Sequence, residues 1–80
     1  MNSPDLPSLA ALLKAARGPR PVPAVAVAAK VSRRSIYLYE SGTLPKLTTL
    51  LRLIDAYGLT VAGRGAILSA HMRAASAVQK

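Results

Sequence analysis

The side chains able to do chemistry in this sequence are nearly all cationic. Lysine and arginine together number 11, aspartate and glutamate number 3, and the formal net charge is +8. There is one histidine and no cysteine. A small chain with this excess of positive charge is suited to binding a polyanion, and nucleic acid is the commonest such partner.

Residues that could catalyse a reaction or hold a metal ion do not group in the sequence. His71 has neither a cysteine nor a neighbouring carboxylate with which to share a metal ion. The three carboxylates are too scattered to predict a nucleophilic triad or a catalytic carboxylate pair. Gly63 and Gly65 match no phosphate-binding loop. We therefore predict no enzyme activity, no metal site, no cofactor and no small-molecule ligand.

Length and composition predict one small globular domain. The chain has 80 residues with 51% hydrophobic but only 4% aromatic content, so Ala, Leu and Val must fill a thin core. The apolar stretch Pro21–Ala29 is too short to span a membrane. Residues 1–7 lack the features of a secretory signal and are expected to form a flexible lead-in. These features favour a cytoplasmic, nucleoid-associated protein.

Five short helices account for the hydrophobic pattern, and little or no strand is expected. The predicted N-caps are the polar residues Ser8, Ser32 and Thr60. The predicted helix ends are the glycines Gly18, Gly42 and Gly58. Helix two is expected to begin at Pro23 and to end at Ala29. Its alternating Ala-Val pattern also fits a strand, but its alanine content favours a helix. Gly63 and Gly65 leave the start of the last helix open.

The second and third predicted helices are separated only by Lys30, Val31 and Ser32, which is the spacing of a helix-turn-helix unit. The segment Val22–Gly58 resembles the Xre/Cro, lambda-repressor-like family of helix-turn-helix domains. The residues that carry this resemblance are Val31-Ser32, Ile36, Tyr39-Glu40, Gly42, Pro45, Leu50-Leu51, Ile54 and Gly58. The resemblance implies an all-α fold, a small five-helix bundle whose DNA-binding domain spans residues 8–58.

The resemblance also implies that the helix from Ser32 to Ser41 enters the major groove of DNA. Arg33 and Arg34 occupy base-reading positions, where arginine can contact guanine O6 and N7. Tyr37 and Leu38 follow one turn later, and Leu38 can pack on a thymine methyl group but cannot hydrogen-bond. The alternative for both arginines is neutralisation of phosphates alone.

Phosphate contacts are expected to flank the recognition helix. The candidates are the side chains of Ser32, Ser35, Thr43 and Lys46, together with backbone N–H groups where the helix at Pro23 begins. Arg17, Arg20 and Arg52 are equally compatible with phosphate contact and with a role in solubility.

In the family, a glutamate at the position of Glu40 pairs with a basic residue of the first helix. Lys14, four residues before Gly18, is the matching position, so a structural Lys14–Glu40 ion pair is expected. Two unpaired surface charges are the alternative.

Two positions depart from the family pattern. Val22 stands where a phosphate-binding glutamine is usual. Lys30 stands where glycine is usual because the turn requires a left-handed residue. We expect either backbone strain at Lys30 or a different turn.

The segment 59–80 is predicted to be helical and to provide a dimerisation element through Ile67, Leu68, Met72 and Ala75. Completion of the core is the alternative role for these side chains. A homodimer is expected because the family commonly binds palindromes as dimers.

The sequence thus favours a sequence-specific transcription regulator of phage repressor or Cro type that occupies operator DNA. An antitoxin of the same fold, which binds a toxin and represses its own operon, is the alternative, although the chain offers no long toxin-wrapping tail. A sequence-blind architectural protein and a basic membrane binder are further alternatives, and the regular core pattern with Glu40 argues against the membrane binder.

Overall fold

A computed structural model describes the backbone of residues 7–78 and the side chains of residues 7–76. Most of the predicted lead-in, residues 1–6, lies outside the described residues, as do residues 79 and 80. The described part contains no strand and consists of five helices in the order α1 (Leu9–Arg17), α2 (Val22–Ala29), α3 (Arg33–Glu40), α4 (Leu47–Tyr57) and α5 (Val61–Val78). The predicted all-α, five-helix architecture is confirmed.

Side-chain caps fix where three of the helices begin. The Ser8 hydroxyl accepts a hydrogen bond from the Ala11 N–H at 3.1 Å, and the Ser32 hydroxyl accepts one from the Ser35 N–H at 3.0 Å. The Thr60 hydroxyl accepts from the Gly63 N–H at 3.1 Å, so α5 begins directly after Thr60. Each cap satisfies a backbone donor that has no partner inside its own helix.

The turn between α2 and α3 keeps the left-handed geometry that the family pattern implies. Lys30 has φ 60° and ψ 44°, and its N–H group donates to the carbonyls of Ala26 and Val27. It is the one non-glycine residue with positive φ in the described chain. Of the two expected outcomes at Lys30, the structure therefore shows the strained residue rather than a different turn.

The core lies where α2 packs on α3 and α4, and where α1 packs on α3 and α5. The largest completely buried side chains are Leu13, Ile36, Leu50 and Leu53. They come from α1, α3 and α4, and α3 itself is held in place by its packing against α1 and α2. α5 adds Ile67 and Ala70 to the same core.

Candidate nucleic-acid interface

The position of α3 is set by its buried side and by the tight turn before it. Ile36 is 1% exposed, and Ala26 of α2 is 4% exposed where the two helices meet. The Val31 N–H donates to the Ala26 carbonyl at 3.0 Å, which continues α2 into the turn. The opposite side of α3 is therefore held toward solvent as a rigid surface.

That outward surface carries all four side chains predicted to contact bases. Arg33 and Arg34 are exposed in the first turn of α3, and neither guanidinium group hydrogen-bonds to another described residue. Tyr37 is 57% exposed and Leu38 is 40% exposed. They lie four residues after Arg33 and Arg34, respectively, so the four side chains share adjoining positions on the helix surface. The structure brings these residues together; their contact with bases stays a prediction.

Ser32 and Ser35 are engaged with each other at the start of α3. Their hydroxyl oxygens lie 2.9 Å apart, and the Ser32 oxygen also accepts from the Ser35 N–H. Only one hydroxyl hydrogen is used between the two side chains, so the other stays available to a phosphate oxygen. Thr43 and Lys46 are exposed in the loop after α3, where they flank the same helix.

The start of α2 offers fewer backbone donors than expected. α2 begins at Val22, one residue earlier than predicted, with Pro23 in its first turn. Proline has no N–H, and the N–H groups of Ala24 and Val25 donate to the Pro21 carbonyl. The Val22 side chain is buried at 5% exposure, so a core residue stands where the family has a phosphate-binding glutamine.

Glu40 pairs with Arg17, and the predicted Lys14–Glu40 pair is wrong. Arg17 Nε lies 2.7 Å from Glu40 Oε2, and its second guanidinium nitrogen donates to Oε1 at 3.0 Å. This bidentate hydrogen bond raises the pKa of Arg17 above its ordinary value. Lys14 is exposed on a different part of α1. The helix crossing presents the last turn of α1, rather than its middle, to the end of α3.

Because Arg17 holds Glu40 against α1, the carboxylate is turned away from the outward surface of α3. The Glu40 side chain is only 8% exposed. The surface that carries Arg33 and Arg34 therefore remains cationic even though an acidic residue belongs to the same helix.

The Arg20 guanidinium already donates hydrogen bonds to backbone carbonyls, which argues against the phosphate contact that the sequence suggested. Its guanidinium donates to the Ala16 and Arg17 carbonyls at 2.7 and 3.1 Å. It also donates to Tyr57 O at 3.3 Å and lies 5.2 Å from the centre of the Tyr57 ring. One side chain thus closes the C-terminal ends of both α1 and α4. Arg52 is exposed on α4, and nothing in its surroundings decides between phosphate contact and solubility.

His71 has a structural contact that the sequence did not reveal. Its Nε2 lies 2.9 Å from the Pro45 carbonyl, so the tautomer with a proton on Nε2 donates to that oxygen. The contact joins α5 to the loop that carries Lys46. Within residues 7–76, no three His, Cys, Asp or Glu side chains are close enough to hold a metal ion.

The predicted dimerisation residues lie on two different sides of α5. Ile67 is 3% exposed and belongs to the core of its own chain, so its assignment to a dimer interface is wrong. Leu68 is half-buried against the core, Ala75 is half-buried, and Met72 is 70% exposed. The sequence pattern did not separate the two sides because apolar residues occur on both.

Among the described residues, no helix combines the length and the apolar character that crossing a bilayer requires.

A family model described as helix-turn-helix domain matches residues 8–67. This range contains α1 to α4 and the first part of α5, and the match is consistent with the predicted Xre/Cro type. No curated protein and no solved structure matches the sequence significantly.

Proposed function

Because the chain belongs to the helix-turn-helix domain family, we propose that it is a sequence-specific transcription regulator. In this proposal it occupies operator DNA as a homodimer, with α3 of each copy in the major groove. Membership of the family supports DNA binding; we further propose operator specificity, a homodimer and a location at the nucleoid.

The observation that carries the proposal is the outward surface of α3. Arg33 and Arg34 are exposed without partners among the described residues, while Glu40 on the same helix is held away by Arg17. Guanine recognition by arginine requires a guanidinium that is free and not neutralised by a nearby carboxylate. The α3 surface meets both conditions.

The hydrogen-bond donors and positive charge around α3 are consistent with the same orientation. Lys46 and Thr43 on one flank, and the free hydroxyl hydrogen of the Ser32–Ser35 pair on the other, surround α3 with donors. Such contacts fix the register of a protein on the duplex without reading its sequence. They would make binding strongly dependent on salt, since each neutralised phosphate adds a slope of about −0.9 to log K against log salt.

A competition gel shift tests the proposal. The full chain is titrated against fragments of genomic DNA in the presence of excess random DNA. We expect one or a few fragments to be retained, and footprinting of these should reveal a palindrome with half-sites about 34 Å apart. Equal affinity for every fragment would contradict a sequence-specific regulator.

Single-residue variants distinguish contacts to bases from contacts to phosphates. Arg33→Ala and Arg34→Ala should each reduce the preference for operator over random DNA by about 1–3 kcal/mol. Arg73→Ala removes the same charge from α5 and serves as the matched control. A uniform loss of affinity across all sequences would assign Arg33 and Arg34 to phosphates instead.

A further inference from the structure

His71 joins the middle of α5 to the loop between α3 and α4. Its Nε2 lies 2.9 Å from the Pro45 carbonyl oxygen, although 26 positions separate the two residues in the sequence. The side chain is half-buried and directly follows Ala70, which belongs to the core. The neutral ring with a proton on Nε2 and the doubly protonated ring both donate from this atom, so the contact does not depend on the charge of His71.

The Pro45 carbonyl has no other donor in the described part of the chain. Pro45 itself is buried. A buried carbonyl without a hydrogen-bond partner is unfavourable, because it has lost water and gained nothing in return. Without the imidazole, the loop at Pro45 would therefore have to move until this oxygen reached water.

The two ends of the loop are held by different elements. Its beginning is tied to α3, since the Thr43 N–H donates to the Leu38 carbonyl at 3.0 Å. Its end is tied to α5, since Pro45 accepts from His71. Removal of the imidazole should therefore free the end of the loop and leave its beginning in place.

The hydrogen bond at Pro45 also orients Lys46. The Pro45 carbonyl and the Lys46 N–H belong to one planar peptide unit, and this unit is trans. Fixing the carbonyl therefore fixes the plane from which Lys46 continues into α4. Lys46 is exposed, and its ammonium group forms no ion pair with a described residue.

We propose that His71 is a positioning residue for DNA binding. It holds the peptide unit between Pro45 and Lys46 so that the Lys46 ammonium group meets a DNA phosphate beside α3. A backbone that is fixed before binding loses less conformational entropy when the contact forms. The inference rests on the proposed function for the contact between Lys46 and DNA.

Salt-dependent binding to duplex DNA of random sequence tests the proposal. His71→Leu removes the donor and keeps a side chain of similar size. Loss of one phosphate contact should reduce the slope of log K against log salt by about 0.9, which weakens binding about tenfold at ~50 mM salt and less at higher salt. The loss should be the same for every DNA sequence, because phosphate contacts do not read bases.

Two variants on the same helix serve as controls. His71→Gln keeps an N–H donor at a similar reach and should recover most of the affinity and of the salt slope. Ser69→Leu introduces the same leucine at an exposed position of α5 and should change neither. Circular dichroism at the assay temperature should show full helix content in all variants. Equal affinity of His71→Gln and His71→Leu would overturn the proposal.

A double-mutant cycle tests whether His71 acts through Lys46. Lys46→Ala removes the phosphate contact directly. If His71 only positions that contact, the double variant of Lys46→Ala and His71→Leu should bind DNA no more weakly than Lys46→Ala alone. Losses of affinity that multiply in the double variant would overturn the proposal.

The position of the loop can be measured without DNA. By nuclear magnetic resonance relaxation, the backbone order parameter of Lys46 should fall in His71→Leu from about 0.85 toward 0.6 or less. That of Thr43 should stay unchanged, since its hydrogen bond to Leu38 remains. An unchanged order parameter for Lys46 would also overturn the proposal.

These outcomes separate the inference from the proposed function. A chain that binds all DNA sequences equally, but in which His71 and Lys46 are coupled, would refute the regulator and leave the role of His71 standing. A chain that selects an operator, but has the same salt slope in the wild type and in His71→Leu, would refute the role of His71 and leave the regulator standing.

Discussion

At the scale of single residues, Arg17 and Lys14 lie three residues apart on α1, and only Arg17 reaches Glu40. The sequence predicted that Glu40 has a basic partner on the first helix, because the position of the glutamate in the family pattern is distinctive. It could not select the partner. That choice depends on the angle and offset at which α1 crosses α3, and these follow from the packing of Leu13 and Ile36 rather than from local spacing.

Arg17→Ala should lower the free energy of unfolding by about 1.5–3 kcal/mol, since it leaves the Glu40 carboxylate nearly buried without its donors. Lys14→Ala removes the same charge from the same helix and should change stability by less than about 0.5 kcal/mol. Urea denaturation of both variants measures the difference. Equal losses of stability in the two variants would indicate that Lys14 also pairs with Glu40.

Leu38 gives a second prediction at this scale. Its exposed side chain can contribute only an apolar contact, which in the major groove means the thymine methyl group. Replacing the contacted operator thymine with deoxyuridine removes one methyl group, worth about 0.8 kcal/mol, so affinity should fall about fourfold. In Leu38→Ala the same DNA change should have no effect. A full effect in Leu38→Ala would assign the methyl contact to another residue, such as Tyr37.

At the scale of elements, the sequence predicted the helices well because their ends are specified locally. Ser8, Ser32 and Thr60 cap the helices that follow them, and Gly18 and Gly58 have the positive φ expected at helix ends. Which side of α5 is buried was not predictable. Apolar residues lie on both sides of that helix, and contact with α1 decides which of them enter the core.

Lys30 connects two elements in a conformation that suits glycine. Lys30→Gly should raise the free energy of unfolding by about 1 kcal/mol, because it removes the left-handed strain of a residue with a Cβ atom. Lys30→Ala is the control, since it removes the charge but keeps the Cβ atom, and it should give no gain. Thermal denaturation distinguishes them. Equal stabilisation by both variants would indicate that the lysine charge, not the backbone, is responsible.

At the scale of the whole molecule, the described part of the chain measures 38 × 25 × 19 Å. The helix α3, which we propose as the recognition helix, has eight residues and is about 12 Å long, enough to cover part of one major groove. A single copy can therefore read only a short stretch of DNA.

Global stability should depend on pH in the alkaline range. Burial raises the pKa of Tyr57, with a further contribution from Glu40. The unfolded chain loses this phenolic proton near its ordinary pKa of about 10, whereas the folded chain keeps it to higher pH. Stability from this group is therefore present below about pH 10 and is lost as pH rises through the folded pKa.

Denaturant titrations at neutral pH and above pH 10 measure this effect. Tyr57→Phe should reduce the alkaline loss of stability, and Tyr37→Phe, on the exposed surface of α3, should not. If Tyr57→Phe lost as much stability at alkaline pH as the wild-type chain, the titrating group would be a residue other than Tyr57.

The Arg20 guanidinium joins the C-terminal ends of α1 and α4, and this couples their local opening. Neither end can fray without releasing a donor that the other end also uses. The two helix ends should therefore open as one cooperative unit. The amide hydrogens of Gly18 and Gly58 should then show similar protection from exchange, although 40 residues separate the two glycines in the sequence. In Arg20→Ala the exchange rates of both amides should increase together.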